Sequence, residues 1–452
     1  MPSPTDTERG EQSWRIAVLA DSDTRWKWGG LTAQRLVPDV DPTVGVDGLL
    51  LRGRATPTPR QLREVGLPAA SLREVTVSEF LSVAGDYDLV VLSCVGGTVQ
   101  AMLHGLAHRW NSTPRENGPR PVLVTGYVGV VYEKLTDGLL LRSGADLVLA
   151  NSREDAERFR SVYRGVGAAP ESVVECALPF LGGKPYAPDA ARPFTVTFAV
   201  QPSVPADREG RLHLLNRAVD HARRYPDRQV LIKLRSKPGE QTTHVEELPY
   251  QRLAERLPGG LPGNCRLVYG HMGEVLDGTD LLVTVSSTAA LESLHRGIPT
   301  GILTDLGIRE SLGNHHFVGS GCLVSWDELD EGRLPTPDLE WTAGHGVVSD
   351  SPYEAAFDAA RARVAELLGR GELPPIAPYY TPTTAPGYLP GVLARHGLAP
   401  DGAPRVELPE ARPTAVSAVR RAARDAVRRA ARGAYRHGVQ RVAPVIRRMG
   451  QL

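Results

Sequence analysis

The sequence predicts an α/β protein with two doubly wound parallel sheets facing each other across a cleft, followed by a basic helical tail. Three observations carry this expectation. Short apolar runs alternate with helical stretches along most of the 452 residues, the pattern of strands buried on both faces. The alternation stops once, in a Gly- and Pro-rich stretch over 181–193, and restarts at Phe194. From residue 411 to the C-terminus there are eleven Arg and one acid, Asp425, around a periodic stripe of Ala and Val.

Taken in order, RIAVLA (15–20) is the first strand and ends in a polar loop. GVDGLLLRG (45–53) and REVTV (73–77) are weaker strands. DLVVLSCV (88–95) is a strong buried run that passes through Gly96 and Gly97 into the helical TVQAMLHGLAHRW. PVLVTGYVGV (121–130) and DLVLAN (146–151) follow as strands. Ser152 is placed to cap the helix SREDAERFRSVYRG, whose first turn is acidic. Beyond the break, FTVTFAV (194–200), QVLIKL (229–234), CRLVYG (265–270), DLLVTVS (280–286) and TGILTDL (300–306) are strands. DREGRLHLLNRAVDHARRY and STAALESLHRG lie between them as helices. The expected division is a first Rossmann-like domain over 1–180, a linker over 181–193 and a second such domain over 194–370. A Pro-rich wrapping segment over 371–410 and the tail over 411–452 complete it.

The 52 Lys and Arg balance the 52 Asp and Glu, so the cationic tail leaves the body mildly acidic, which argues against a nucleic-acid partner. A 41% hydrophobic fraction at this length provides for a sizeable core. No apolar run reaches the roughly 18 residues that a membrane span needs. The N-terminal MPSPTDTERGEQSW has neither a basic nor an apolar signal region, so a cytoplasmic protein is expected. Cys94, Cys176, Cys265 and Cys322 are far apart and form no C-x-x-C pair, which fits reduced thiols. His104 and His108 stand four apart on a helix but lack a third ligand nearby, so no metal is expected.

In open α/β sheets, ligands sit beyond the carboxyl ends of strands, which directs attention to the strand-to-helix loops. After DLLVTVS, the hydroxyls of Ser286, Ser287 and Thr288 meet the free N–H groups of a helix start, an arrangement suited to an anion. Glu292, one turn on, is placed to reach a ribose hydroxyl. An ordinary Ser cap accounts for the same pattern. Lys233, Arg235 and Lys237 end another strand at i, i+2 and i+4, where extended chain puts them on one face to clamp a phosphate or a sugar carboxylate. A solvated basic loop is the alternative. After the first strand, Asp23 and then Asp21 are candidate general bases. Trp26 and Trp28 beside Gly29 and Gly30 are candidate stacking surfaces for a sugar ring, or core residues. Gly126 and Tyr127 mark a strand end where backbone can approach a ligand. His315, in the Gly-rich loop GNHHFVGSG, is a further candidate contact.

Two Rossmann-like domains, a mid-chain linker and the segment SSTAALESLHRGIPTGIL resemble glycosyltransferases of the GT-B fold. The nearest resemblance is to uncharacterised actinobacterial glycosyltransferase-like proteins. A more distant one is to polysialyltransferases, bacterial sialyltransferases and CDP-glycerol glycerophosphotransferases. In those relatives a Ser/Thr cluster after a late strand holds the donor phosphate, a role the resemblance carries to Ser286, Ser287 and Thr288. They also carry a K-x-H-P-like motif where this chain has KLRSKP (233–238), with Arg235 and Lys237 before Pro238 and no His. The resemblance implies a nucleotide-sugar co-substrate, no resident cofactor, and a cell-envelope glycan or lipid-linked acceptor. The UDP-N-acetylglucosamine 2-epimerases share the fold and give a second reading; a non-catalytic nucleotide-sugar-binding protein gives a third.

The tail adds a partner. Val416, Val419, Ala423, Val427, Ala430 and Ala434 trace one helical stripe, flanked by Arg420, Arg421, Arg424, Arg428 and Arg432. A basic amphipathic helix suits an anionic membrane surface, here the inner face of the plasma membrane. A solvated tail accounts for the same composition.

Overall fold

The computed structural model describes residues 14–111, 119–130, 134–237, 240, 248–347 and 352–405. The tail stripe, the acids and arginines around it, and the last residues of the Pro-rich segment lie outside the described residues.

Seven parallel strands form the first sheet: β1 (Ile16–Ala20), β2 (Val46–Leu51), β3 (Ser71–Val75), β4 (Leu89–Ser93), β5 (Val122–Gly126), β6 (Leu147–Ala150) and β7 (Val173–Glu175). Their order is β3-β2-β1-β4-β5-β6-β7. β1, β4, β5 and β6 are buried along their whole length, as their unbroken apolar runs require. β3 lies at the edge and exposes three of its five residues. It ends two residues earlier than its sequence implies, because Thr76 and Glu79 form a reciprocal cap that starts a helix there.

The second sheet holds β8 (Thr195–Ala199), β9 (Gln229–Lys233), β10 (Cys265–Val268), β11 (Leu281–Thr284), β12 (Thr300–Leu303) and β13 (Leu323–Val324). All pair in parallel, in the order β10-β9-β8-β11-β12-β13. In each sheet the strand order reverses beside the central strand, between β1 and β4 and between β8 and β11. Those are the switch points at which open sheets leave a crevice.

Helices cover both sheets. They include α1 (Asp23–Leu36), α2 (Pro59–Val65), α3 (Gly96–Trp110), α4 (Arg153–Val166), α5 (Arg208–Arg224), α6 (Met272–Asp277) and α7 (Ala289–His295). Ser152 caps α4 by accepting the Asp155 N–H at 3.0 Å, as expected. α7 turns its apolar residues Ala290, Leu291 and Leu294 into the same buried cluster as Trp26, Trp28 and Val124 of the first sheet's layer. Both sheets belong to one packed unit that runs to Pro404.

The chain does not stay with the second sheet to residue 370. Residues 176–194 carry neither strand nor helix and lead into β8. After β13, the helix α8 (Asp358–Leu368) returns to the first sheet and packs against α1, β5 and β7, burying Ala360, Val364 and Leu367 there. This helix, expected within the second domain, packs with the first sheet. Beyond it, the Pro-rich segment wraps on. Arg120 pairs with Asp146 at 2.7 Å and donates to the Pro374 carbonyl. Asn111 holds the Ile376 backbone through both its amide groups. The short helix α9 (Leu389–Arg395) buries Leu389 and Leu393 with Met102 and Leu103 of α3. Among the described residues, no helix is long and apolar enough to cross a membrane.

Candidate functional site

Register decides which loops meet. Ala20 pairs with Ser93, so the loops leaving β1 and β4 start level. Asp21 uses that placement: one carboxylate oxygen accepts the Val95 N–H at 2.9 Å and the other pairs with Arg25 at 3.1 Å. Both oxygens of Asp21, the second candidate base, brace the loop.

Asp23 opens α1. Its Oδ1 accepts from Arg235 at 3.3 Å, a contact from the second sheet to the first, and from the Thr24 hydroxyl at 3.4 Å. Arg235 also bonds the Thr24 hydroxyl. Oδ2 of Asp23 has no hydrogen-bond partner among the described residues, which leaves one basic oxygen at a half-buried position.

Trp26 and Trp28 are not loop residues. They lie on α1, each only 1% exposed, and pack in the core, so they offer no face to a sugar. Nearby glycines make room for them. A Cβ on Gly48 would come within 2.9 Å of the Trp26 ring, and one on Gly126 within 2.9 Å of Trp28. Gly126 thus makes room for Trp28. Tyr127 is likewise committed. Its ring lies 4.0 Å beneath the Arg142 guanidinium and 5.4 Å from Phe159, and burial pushes its phenol upward.

In the second sheet Thr284, Ala199 and Lys233 lie level. Two residues beyond, Gln201 meets Ser286, and its side-chain oxygen accepts the Ser286 N–H at 3.0 Å. The Ser286 hydroxyl donates to the Leu312 carbonyl at 2.5 Å and receives the Gln201 amide at 3.2 Å. It is buried and ties three loops together. Ser287 accepts the Ala289 N–H at 3.2 Å and remains half-buried. Thr288, also half-buried, has no hydrogen bond on its hydroxyl among the described residues. It faces the first-sheet loop after β5: a Cβ on Gly129 would lie 2.7 Å from Thr288 Oγ1.

The three cations after β9 diverge, because extended alternation stops when the strand ends at Lys233. Lys233 is only 6% exposed and donates to the Leu234 carbonyl at 2.8 Å. Burial pulls its pKa down to about 8; Arg235 and Lys27 push the same way, and Glu64 and Glu292 oppose. Arg235 turns to Asp23. Lys237 is exposed, 5.9 Å from the Tyr269 ring, so the expected single face of three cations is corrected. Glu292 on α7 is buried and accepts no hydrogen bond among the described residues. Burial raises its pKa, and Lys27, Arg296 and Lys233 oppose.

His315 lies in the turn Asn314–Phe317. Its neighbour His316, not His315, lines a small cavity with Asn151, Asp155 and His345.

Two groups at this site escaped the sequence reading. Lys27 reaches from α1, its ammonium 5.1 Å from the Phe180 ring. His271 stands at the N-cap position of α6, just beyond β10, with no side-chain bond to the helix start. Both had a signal: Lys27 alternates with two buried tryptophans and so faces away from them, and His271 follows a strand end. The sheets are tied near this point. Arg60 of α2 grips Glu240 and pairs with Glu64 at 2.5 Å, while Glu64 accepts the Gly270 N–H at 3.0 Å.

Residues 16–367 match the family described as "Putative glycosyltransferase (DUF6716)", and the chain belongs to that family. No curated protein matches it. Among solved structures, the S. aureus MnaA–UDP co-structure is 14% identical with a TM-score of 0.49, covering 80% of this chain and 99% of that one. The UDP-GlcNAc 2-epimerase from Neisseria meningitidis bound to UDP-GlcNAc is 11% identical, TM-score 0.44, over 78% and 99%. The glycosyltransferase SnogD from Streptomyces nogalater is 15% identical, TM-score 0.40, over 79% and 100%. The two facing Rossmann-like sheets fit the GT-B-like architecture expected from the sequence.

Proposed function

We propose that this member of a glycosyltransferase family transfers a sugar from a nucleotide-sugar donor to a hydroxyl of a cell-envelope glycan or lipid-linked acceptor. The observation that carries the reading is the set of polar groups near the β8/β11 switch point with few partners. Buried Lys233 donates only to a backbone carbonyl, buried Glu292 and the Thr288 hydroxyl have no hydrogen-bond partner among the described residues, and Asp23 of the first sheet's layer holds one unpartnered oxygen.

The chemistry follows from these groups. Lys233 meets the donor's phosphate as a point charge, with Ser287 and Thr288 adding hydroxyl contacts. Glu292 accepts from a ribose hydroxyl. Asp23 Oδ2 takes the acceptor hydroxyl's proton as the hydroxyl oxygen attacks the anomeric carbon; the bond from that carbon to the phosphate oxygen breaks, and the nucleoside mono- or diphosphate leaves with the electron pair. Lys233 stabilises the charge that develops on the leaving phosphate. Arg235 is a positioning residue: it holds Asp23 Oδ1 and so aims the other oxygen. The basic tail would bring the enzyme to an anionic membrane where such acceptors reside.

A thermal-shift screen of UDP-, GDP-, CDP-, dTDP- and CMP-sugars identifies the donor, because a ligand of the native state raises Tm. With that donor, Asp23→Asn should lower transfer by roughly 10²–10⁴-fold and leave donor affinity intact. Full turnover in Asp23→Asn would remove the base assignment. Release of a free or epimerised sugar with no acceptor product would overturn transfer itself.

A further inference from the structure

A small cavity lies where the carboxyl edge of the first sheet meets α7. It is lined from the first sheet by Asn151 and Asp155, just beyond β6, and from the second by Leu291 of α7 with His316 and His345. Its interior has room for about one water-sized group. Gly129 lines it as well, and a Cβ on Gly129 would come 2.7 Å from Thr288 Oγ1. Leu291 follows Thr288 by three residues on the same helical turn. The cavity therefore adjoins the hydroxyl read as a phosphate contact.

The polar atoms around it are acceptors. Asn151 is 6% exposed, and its Nδ2 donates to the Tyr127 carbonyl at 2.7 Å and the Gly129 carbonyl at 3.4 Å. Two carbonyls fix which way the amide points, and they leave Oδ1 buried with no hydrogen-bond partner among the described residues. Asp155, also 6% exposed, brings a carboxylate partnered by the Ser152 hydroxyl. Burial raises its pKa to about 6, with Arg158 opposing and Glu154 adding, so it is mostly ionised at pH 7.5. His345 stacks on Trp341 at 3.9 Å and donates Nδ1–H to the Trp341 carbonyl at 2.7 Å, which leaves a lone pair on Nε2. Burial holds His316 and His345 below their ordinary values, so neither ring carries charge at that pH. No Lys or Arg is among the described residues that line the cavity. An unpartnered buried oxygen and a buried carboxylate both gain from a hydroxyl that donates to them, whereas a second carboxylate meets like charge with no cation to answer it.

We propose that this cavity receives a hydroxyl of the donor's sugar, and that Asn151 and Asp155 select an uncharged sugar over one that bears a carboxylate. The inference rests on the reading of Thr288 as a phosphate contact, since the group that follows the phosphate in such a donor is the sugar. It separates neutral hexoses from uronic and sialic acids as donor sugars.

The test is titration calorimetry of the full chain at pH 7.5 with the UDP, GDP, dTDP and CDP esters of glucose. Each is set against its glucuronate counterpart and the free nucleotide, and CMP-N-acetylneuraminate is included. The nucleotide that binds should show its glucose ester at least tenfold tighter than its glucuronate ester. Asp155→Asn should shrink that gap to about threefold or less and leave affinity for the free nucleotide unchanged. Glu154→Gln, at the exposed neighbouring acid, should keep the gap, and circular dichroism checks that both variants are folded. A glucuronate ester or CMP-N-acetylneuraminate that binds as tightly as the glucose ester overturns the inference. So does a gap that survives Asp155→Asn or collapses equally in Glu154→Gln. In each of those cases nucleotide binding keeps the donor-site reading. If no nucleotide and no nucleotide-sugar binds the wild-type chain, that reading fails and takes the inference with it.

Discussion

Lys233 is buried where an apolar side chain would be more stable, and Lys233→Met should expose that cost. In the folded chain its pKa falls from 10.5 to about 8, and burial is the main cause. That gap corresponds to roughly 3 kcal/mol, at about 1.4 kcal/mol per tenfold change. Met fills similar space without charge, but it leaves the Leu234 carbonyl without the ammonium, a loss of about 1 kcal/mol. A net gain of about 2 kcal/mol at pH 7.5 follows for the ligand-free protein. The sign fixes its pH dependence. The folded value lies below the unfolded one, so wild-type stability from this group is full above pH 10.5 and is lost as pH falls toward 8. The advantage of the variant is therefore complete at pH 7.5 and shrinks as pH rises from 8 to 10.5. Urea unfolding at pH 7.5 and pH 10 measures it. Adding UDP should reverse the ranking, because ligand at a hundred times Kd stabilises the wild type by about 2.7 kcal/mol and leaves the variant unchanged. A variant less stable than wild type at pH 7.5, or one stabilised equally by UDP, would refute the reasoning.

Asp21→Ala should cost about 1–3 kcal/mol in urea unfolding, since Arg25 and the Val95 N–H both lose their acceptor, with UDP affinity retained; unchanged stability would show that the brace is idle. Arg60→Ala removes the tie to Glu240 and loosens Glu64, so the Gly270 amide should exchange its hydrogen faster while amides of the β1 core keep their protection. Asp155, buried at the start of α4, has its pKa raised from 3.8 to about 6. A raised acid favours folding when protonated, so its contribution is full below pH 3.8 and lost as pH rises through 6. Asp155→Asn should therefore gain up to about 3 kcal/mol over wild type at pH 8 and little at pH 4, by the same unfolding measurement.

The sheets were readable because most strands are unbroken apolar runs between turn residues. β7 and β13, three and two residues long, were not: segments that short carry no periodicity, and pairing alone defines them. The first loop misled for a specific reason. Gly29 and Gly30 resemble loop punctuation, yet Gly29 sits inside α1 because a Cβ there would come 2.5 Å from Val18 and 2.9 Å from Ser93. Close packing of helix on sheet and a flexible loop both ask for glycine, and sequence does not separate them. Of the two readings left open for Trp26 and Trp28, the structure takes the core one: both lie on α1 and are buried. The switch-point loop was legible as a place but not as a set of atoms. Ser286, Ser287 and Thr288 look alike in sequence, and only register reveals that Gln201 and Leu312 consume the first of them.

The same reasoning separates the two acids after β1. Asp21 and Asp23 stand two apart where β1 passes into α1, and either suits a base by residue type. Asp21 faces β4, whose level register delivers a backbone N–H that must be satisfied, and Arg25 one turn on takes its other oxygen. Asp23 faces the second sheet and meets a cation that belongs to the donor side, Arg235. Because Arg235 follows Lys233 by two residues, the segment that would hold the donor phosphate also orients the proposed base. Movement of β9's end on ligand binding would then act on both groups at once, so a change at Arg235 should affect turnover through Asp23 rather than through donor affinity. Arg235→Gln is expected to lower transfer while UDP binding stays near wild type; equal losses in both would assign Arg235 to the phosphate instead.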